Sequence, residues 1–316
     1  MAGMQLFVFF SAVWIFILTV KLTRSIYIYT RKSSIYRYNY KRGDDLPWAF
    51  ITGSSDGVGL AFAHELAHEG FNIVLHGRNA AKLEAVKNSL SQEYPNSDFP
   101  IVVAEVCESG PSFFTSIKAT VQELRDLHLT ILVNNVGGPP PKMEPLYKSF
   151  NANTATDIDG AININIRFTA HLTAAIIPLL TREQKPSLII TIGSMADAGL
   201  PWLAMYSGTK SFLMSWSTAL AREMKAEKRN LEVLGILLMT VTNVSFRKVA
   251  PTLAQPDART FARASLNRVG CGRYVVAGYW VHGVMKALLD SLPESLVLRM
   301  LVKSIRDEAE RDKKRE

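Results

Sequence analysis

The chain has 316 residues, with 36 Lys and Arg against 28 Asp and Glu, a net charge of +8, and 48% hydrophobic against 20% charged residues. That balance excludes disorder except at the tips and leaves room for one α/β domain of roughly 250 to 270 residues. Cys107 and Cys271 are the only cysteines, too few for a disulfide framework, and a reducing, cytosol-facing compartment fits them best.

Met1–Val20 carries no charged side chain, and Met4–Val20 is almost wholly apolar. As a helix, such a run spans about 26–30 Å, the thickness of a hydrocarbon core. A cleaved signal peptide would need a basic n-region and a small-x-small site, and neither is seen. Lys21, Arg24, Arg31, Lys32, Arg37, Lys41 and Arg42 follow the run, interleaved with Tyr27, Tyr29, Tyr36, Tyr38 and Tyr40. This clustering suits a membrane interface rather than nucleic acid, and the positive-inside rule then places the body in the cytosol. Residues 1–24 therefore read as a membrane anchor, 25–45 as a basic, aromatic juxtamembrane linker, and 46–290 as the globular domain. Residues 291–316 read as a C-terminal helix ending in the dilysine-like Lys313-Lys314-Arg315-Glu316, similar to tails that return proteins to the endoplasmic reticulum.

Gly43-Asp44-Asp45-Leu46-Pro47 breaks the pattern and opens the domain. Short apolar runs at Trp48–Thr52, Asn72–Leu75, Ile101–Val106, Thr130–Val133, Ser187–Ile192 and Leu231–Leu237 are predicted strands. Helical stretches separate them: Gly59–Gly70, Asn79–Tyr94, Ser112–Leu127, Asp157–Leu180 and Tyr206–Lys228. Strands alternating with helices imply a parallel, doubly wound sheet covered on both faces.

After the first strand comes Thr52-Gly53-Ser54-Ser55-Asp56-Gly57-Val58-Gly59. Gly53 allows the tight turn, Gly57 lets the backbone approach a pyrophosphate, and Gly59 lets the next helix pack closely with its N-terminus toward the anion. Arg78, past the second strand, stands where an NAD binder usually places an acidic residue. A guanidinium there can take a 2′-phosphate, so the expected cofactor is NADP(H). His64-Glu65-Leu66-Ala67-His68 matches a zinc-protease pattern but lies inside the helix that the glycine turn opens, with no place for a third ligand, and no metal is expected.

The fifth strand delivers Gly193 and Ser194 at its carboxyl end, where open α/β sheets bind ligands. Tyr206 opens the following helix and Lys210 lies four residues on, so both share one face. A free phenol titrates near 10, so moving a proton at neutral pH needs a drop of about three units, roughly 4 kcal/mol. A neighbouring ammonium and an oxidised nicotinamide can supply it, while Ser194 holds the substrate oxygen.

These motifs resemble the short-chain dehydrogenase/reductase family over residues 46–290. Asn134-Asn135-Val136-Gly137 is similar to the family's Asn-Asn-Ala-Gly, and Ile162–Ile166 to the segment with its catalytic asparagine. The resemblance implies a seven-stranded Rossmann sheet ordered 3-2-1-4-5-6-7, and Asn165, Ser194, Tyr206 and Lys210 as the catalytic set. It implies that Asn165 steadies a water relay to Lys210, and that Gly53, Ser54, Ser55, Gly57, Val58, Gly59, Arg78, Glu105, Asn135, Gly137 and Val241 hold the cofactor together with Tyr206 and Lys210. The anchor, the Asn-Asn-Val-Gly variant, the tract Phe261–Gly283 and the basic end resemble the membrane-bound 17β-hydroxysteroid dehydrogenase and very-long-chain 3-oxoacyl-CoA reductase branch. Departures are Leu238-Met239 for Pro-Gly, Asn243 for threonine, Glu105 for aspartate, and a Ser194–Tyr206 spacing of 12 residues where about 13 is usual.

The expected activity is NADP(H)-dependent interconversion of a ketone and a secondary alcohol on a lipophilic substrate: a 3-oxoacyl-CoA, a steroid or sterol, or a terpenoid. The expected location is the endoplasmic reticulum membrane, single-pass, with the body in the cytosol. The family often dimerises through helices around Asn165 and Tyr206. The rivals are a catalytically silent cofactor-binding scaffold and a specialised dehydrogenase working in the oxidative direction.

Overall fold

The computed structural model describes residues 2–107, 110–140, 143–244 and 247–313. Helix α1 runs from Ala2 to Thr30. Its most apolar 18-residue window has none of its surface buried in the body, and it is long and apolar enough to cross a membrane. The helix continues well past the charged residues Lys21 and Arg24, and Ile28 is buried against the domain.

Residues 25–45, expected as a linker, are docked along the body. Arg31 Nη1 donates to the Val269 carbonyl at 2.7 Å, Ser33 Oγ to that of Leu266 at 2.6 Å, and Arg268 Nη1 to that of Ile28. Tyr38 is fully buried and gives its hydroxyl proton to Glu232 Oε2 at 2.6 Å. The basic and aromatic side chains that mark an interface in the sequence are here also the fastening of α1 to the domain. Of the dilysine-like tail, Lys314 to Glu316 lie outside the described residues.

The domain is a seven-stranded sheet, β1 (Trp48–Ile51), β2 (Asn72–Gly77), β3 (Ile101–Val103), β4 (Leu129–Asn134), β5 (Ser187–Ile192), β6 (Leu231–Leu237) and β7 (Val275–Ala277). The order is β3-β2-β1-β4-β5-β6-β7, all pairs parallel, as expected. Alternation along the strands divides the core: Ala49, Ile51, Ile131 and Val133 face one side, Phe50, Leu132 and Ile189 the other. On the first side pack α2 (Gly57–His68), α3 (Ala80–Glu93) and α8 (Ala258–Leu266); on the second, α4 (Pro111–Leu124), α6 (Phe168–Thr181) and α7 (Ala204–Ala226). Helices α9 (Trp280–Leu289) and α10 (Glu294–Lys313) close the chain.

The stretch Asp157–Leu180, predicted as one helix, starts at α5 (Ala155–Ile162) on a Thr154/Asp157 capping box and passes through a π turn at Asn163–Arg167 before α6. The α5–α6 rod is also long and apolar enough to cross a membrane, yet Leu172 and Ile176 are fully buried in the core. The short β7 and α8 have no counterpart among the predicted elements, because three residues of strand leave too little pattern to read.

Candidate active site

All seven strands end on the same edge of the sheet, and the order reverses between β1 and β4, so a crevice opens there. The turn after β1 forms its floor. Gly53 and Gly57 adopt φ of 66° and 59°, the left-handed region that glycine enters without strain. A Cβ at Gly59 would lie against the Gly53 carbonyl and 2.6 Å from Asn135 Nδ2, so only glycine lets α2 start this close to the turn. Asp56 caps α2 by accepting from the Gly57 amide at 2.6 Å.

Asn135 ties the turn to β4. Its Nδ2 donates to the carbonyls of Thr52 and Gly53 at 3.0 and 3.1 Å, while Thr52 Oγ1 accepts from the Asn135 and Val136 amides. Ser54 supports the turn from behind: its buried hydroxyl accepts from the His76 amide at 2.9 Å and does not face the crevice. His76, absent from the predicted site, lies beneath the turn with Nδ1 accepting from the Gly53 amide at 3.4 Å. Complete burial lowers its pKa to about 4, so the imidazole is neutral at physiological pH. Its one sequence signal is a histidine inside an apolar strand.

The open crevice is lined by Gly53, Ser55, Gly57, Val58, Arg78, Asn135, Gly137, Tyr206, Lys210 and Val241. Gly59 shapes the turn without lining it. Glu105 does not line it either. Its Oε1 accepts from the amides of Val106 and Cys107 at 2.8 and 3.0 Å, folding the loop after β3 so that Ala104, Val106 and Cys107 form the wall. Burial works against the Glu105 carboxylate, but these amides and the Arg78 charge hold its pKa below the usual range.

Asn165 occupies the π turn, a distortion frequent at functional sites. It is fully buried, accepting from the Gly138 amide at 3.0 Å and donating to the carbonyls of Gly138 and Ala161 at 2.9 and 3.0 Å. A Cβ on Gly137 would lie 2.8 Å from Asn165 Oδ1 and 2.9 Å from Lys210 Nζ, so both side chains converge on that glycine. Lys210 Nζ donates to the Ile192 carbonyl at 3.4 Å and lies 5.7 Å from the centroid of the Tyr206 ring. Burial lowers the Lys210 pKa to about 8.

The sequence predicts a lowered Tyr206 pKa, and the folded chain does the reverse. Burial raises it, opposed by a hydrogen bond from Ser194. Lys210 is itself desolvated, which lowers its pKa to about 8, and its charge does not offset the burial of the phenol. The protein alone therefore keeps the Tyr206 phenol protonated. The short spacing between Ser194 and Tyr206 does not part them: a 3-10 turn at Met195–Ala198 and Gly199 at φ 92° carry the chain around, and the two side chains meet. Asn243 has φ 56°, a conformation open to asparagine and costly for a β-branched threonine, which accounts for the residue found there.

Tyr206 also lines a second, small pocket whose walls include Pro140, Met143, Leu146, Trp202 and Met205. Trp202 sits at φ 62°, strained for so bulky a residue. The phenol thus stands where the crevice meets an apolar pocket. The zinc-protease pattern on α2 has a structural use: Glu65 is ion-paired with Arg263 at 2.7 Å and Arg259 at 3.2 Å, joining α2 to α8, while His64 approaches Glu93 at 3.2 Å.

The model of the short chain dehydrogenase family matches residues 47–251. A very-long-chain 3-oxoacyl-CoA reductase of Emericella nidulans is 33% identical over 248 residues, covering 76% of this chain and 69% of that protein. One from Scheffersomyces stipitis is 32% identical over 292 residues, covering 86% and 80%. Among solved structures, a 7beta-hydroxysteroid dehydrogenase superposes with TM-score 0.69 at 17% identity, covering 82% of this chain and 98% of its own. A short-chain dehydrogenase from Sphingobium yanoikuyae in complex with NADPH gives 0.61 at 22% identity, covering 79% and 97%. At these identities the two structures share the fold.

Proposed function

Because the chain belongs to the short-chain dehydrogenase family, we propose that it is an NADP(H)-dependent oxidoreductase that reduces the ketone of a 3-oxoacyl thioester to a secondary alcohol. The observation that carries this is Tyr206, shared between the crevice behind the glycine turn and an apolar pocket, with Ser194 and Lys210 beside it. The crevice residues fit a dinucleotide. The left-handed Gly53 and Gly57 and the bare Gly137 leave backbone open where a Cβ would intrude, and Arg78 lines the crevice, where its guanidinium can take a 2′-phosphate. The relatives' names favour an acyl-CoA.

The bound cofactor supplies the hydride. Gly53, Ser55, Gly57 and Gly59 would hold its pyrophosphate at the α2 N-terminus. Ser194 would hydrogen-bond the substrate carbonyl oxygen and fix its carbon toward the hydride donor, with Lys210 beside the cofactor. Tyr206 gives its phenolic proton to that oxygen as negative charge develops, and its raised pKa suits a donor. Lys210, mostly charged at neutral pH and more fully so beside an anionic cofactor, would stabilise the phenolate left behind. Asn165 holds the Gly137–Gly138 backbone that separates it from Lys210 and steadies a water relay that reprotonates the tyrosine.

Helix α1 is the single-pass anchor in this reading, with the basic residues after it and the domain in the cytosol, on the endoplasmic reticulum. Full-length protein in membranes, given NADPH or NADH with a panel of 3-oxoacyl-CoAs and oxosteroids, tests the assignment. Formation of 3-hydroxyacyl-CoA with NADPH is expected. Failure to reduce any 3-oxoacyl-CoA, or a preference for NADH, would overturn it.

A further inference from the structure

Large apolar side chains recur every fourth residue across the end of the chain: Trp280, Val284 and Leu288 on α9, Leu292 in the turn, Leu296 and Met300 on α10. All are exposed, Leu288 by 62%, and no element of the body covers them. Two neighbouring helices that only solvent covers do not ordinarily expose so many large apolar side chains, Leu298 among them.

The row begins beside the point where α1 enters the body. The Tyr29 hydroxyl lies against the backbone of Gly283, one residue before Val284, and donates to the Ala277 carbonyl at 3.3 Å. From Lys21, where the apolar run ends, to Ile28, the first residue of α1 buried in the domain, a helix rises about 10 Å, close to the depth of one headgroup layer. Arg299 and Lys303 are exposed on α10 among these residues, Tyr27 is exposed on α1, and the Asp290 carboxylate is paired with Lys286 at 2.9 Å. Apolar residues, interfacial aromatics and unpaired cations suit an anionic lipid surface.

We propose that the α9–α10 face rests on the membrane that α1 crosses, as an interfacial contact that does not span it; this rests on reading α1 as the anchor. The geometry adds a consequence for substrate entry. Farther along α10, Ile305 is buried and the Arg306 guanidinium lies 5.5 Å from the centroid of Trp202, a wall of the apolar pocket beside Tyr206. One helix thus joins the lipid-facing row to the substrate pocket, so an acyl chain reaches Tyr206 from the bilayer side.

Spin labels on the full-length protein test this, with Cys107 and Cys271 replaced by serine and the protein reconstituted in phosphatidylcholine/phosphatidylserine vesicles. Labels at Val284→Cys, Leu288→Cys and Leu296→Cys should be shielded from an aqueous nickel chelate and relaxed by lipid-dissolved oxygen. Phe16→Cys on α1 and the solvent-facing Lys87→Cys on α3 set the two limits. Nickel access at the three positions equal to that at Lys87→Cys would overturn the proposal, as would label–label broadening from a second copy seated on this face. Nickel access at Phe16→Cys would overturn the anchor reading itself. Joint Leu288→Glu and Leu296→Glu substitution should lower kcat/KM at least tenfold for a membrane-partitioned ketone while leaving that for a water-soluble ketone unchanged. An equal loss on both would refute the entry route.

Discussion

Replacing Gly59 by alanine sets two effects of opposite sign against each other. In a helix, alanine is better than glycine by about 1 kcal/mol. Here the new methyl would meet the Gly53 carbonyl, come within 2.8 Å of the Gly53 carbonyl carbon and 2.6 Å of Asn135 Nδ2. Backbone cannot rotate away as a side chain can, so overpacking at the upper end of its usual range, about 3 kcal/mol, applies. The net is about 2 kcal/mol of destabilisation, or a fall in Tm of roughly 4 °C or more. Separating α2 from the turn also disturbs the amides aimed at the pyrophosphate, so NADPH should bind at least about tenfold more weakly, a loss of about 1.4 kcal/mol. Gly208→Ala is the matched control: it lies in α7 with nothing within 4 Å of an added Cβ, and should stabilise slightly. Thermal unfolding and NADPH fluorescence titration read both. If Gly59→Ala matches Gly208→Ala in Tm and keeps the parent Kd, the close approach of α2 is not what shapes the cofactor site.

Arg78→Glu should lower the ratio of kcat/KM for NADPH over NADH at least tenfold, since a carboxylate repels a 2′-phosphate and accepts from a 2′-hydroxyl; an unchanged ratio would leave Arg78 a surface charge. Burial moves the Lys210 pKa from 10.5 to about 8, so its contribution to stability is complete above 10.5 and lost as pH falls through about 8. Lys210→Met should therefore be the more stable protein at pH 7 and lose that advantage by pH 10, while being inactive; a Tm difference independent of pH would contradict the burial argument. Tyr38→Phe leaves Glu232 Oε2 without its 2.6 Å donor and should cost about 1.5–3 kcal/mol in urea unfolding. No change in the urea midpoint would mean that the segment after α1 is not fastened through this bond.

The sheet was legible because each of its first six strands is a short apolar run between helices, and glycines that must adopt positive φ are hard to replace. Ser194, Tyr206 and Lys210 could be read because strand end and helix spacing fix where such side chains point. Asn165 could be found by resemblance, but not its π turn, since the extra residue leaves no mark in periodicity. The supports were hidden: His76 and Ser54 act through one another across the turn, and Glu105 acts on its own loop, contacts that depend on β1, β2 and β3 lying side by side. The docking of residues 25–45 was hidden for the same reason, as Tyr38 meets a partner 194 residues away.

The central claim is hydride delivery to a carbonyl with Tyr206 as the proton donor. Full-length enzyme in membranes, supplied with NADPH deuterated on the transferred face of C4 and a long-chain 3-oxoacyl-CoA, should yield 3-hydroxyacyl-CoA with deuterium at C3. Tyr206→Phe should bind NADPH with nearly the parent affinity and form that product at least about a hundredfold more slowly. A product without deuterium, or turnover by Tyr206→Phe within tenfold of the parent, would contradict the account.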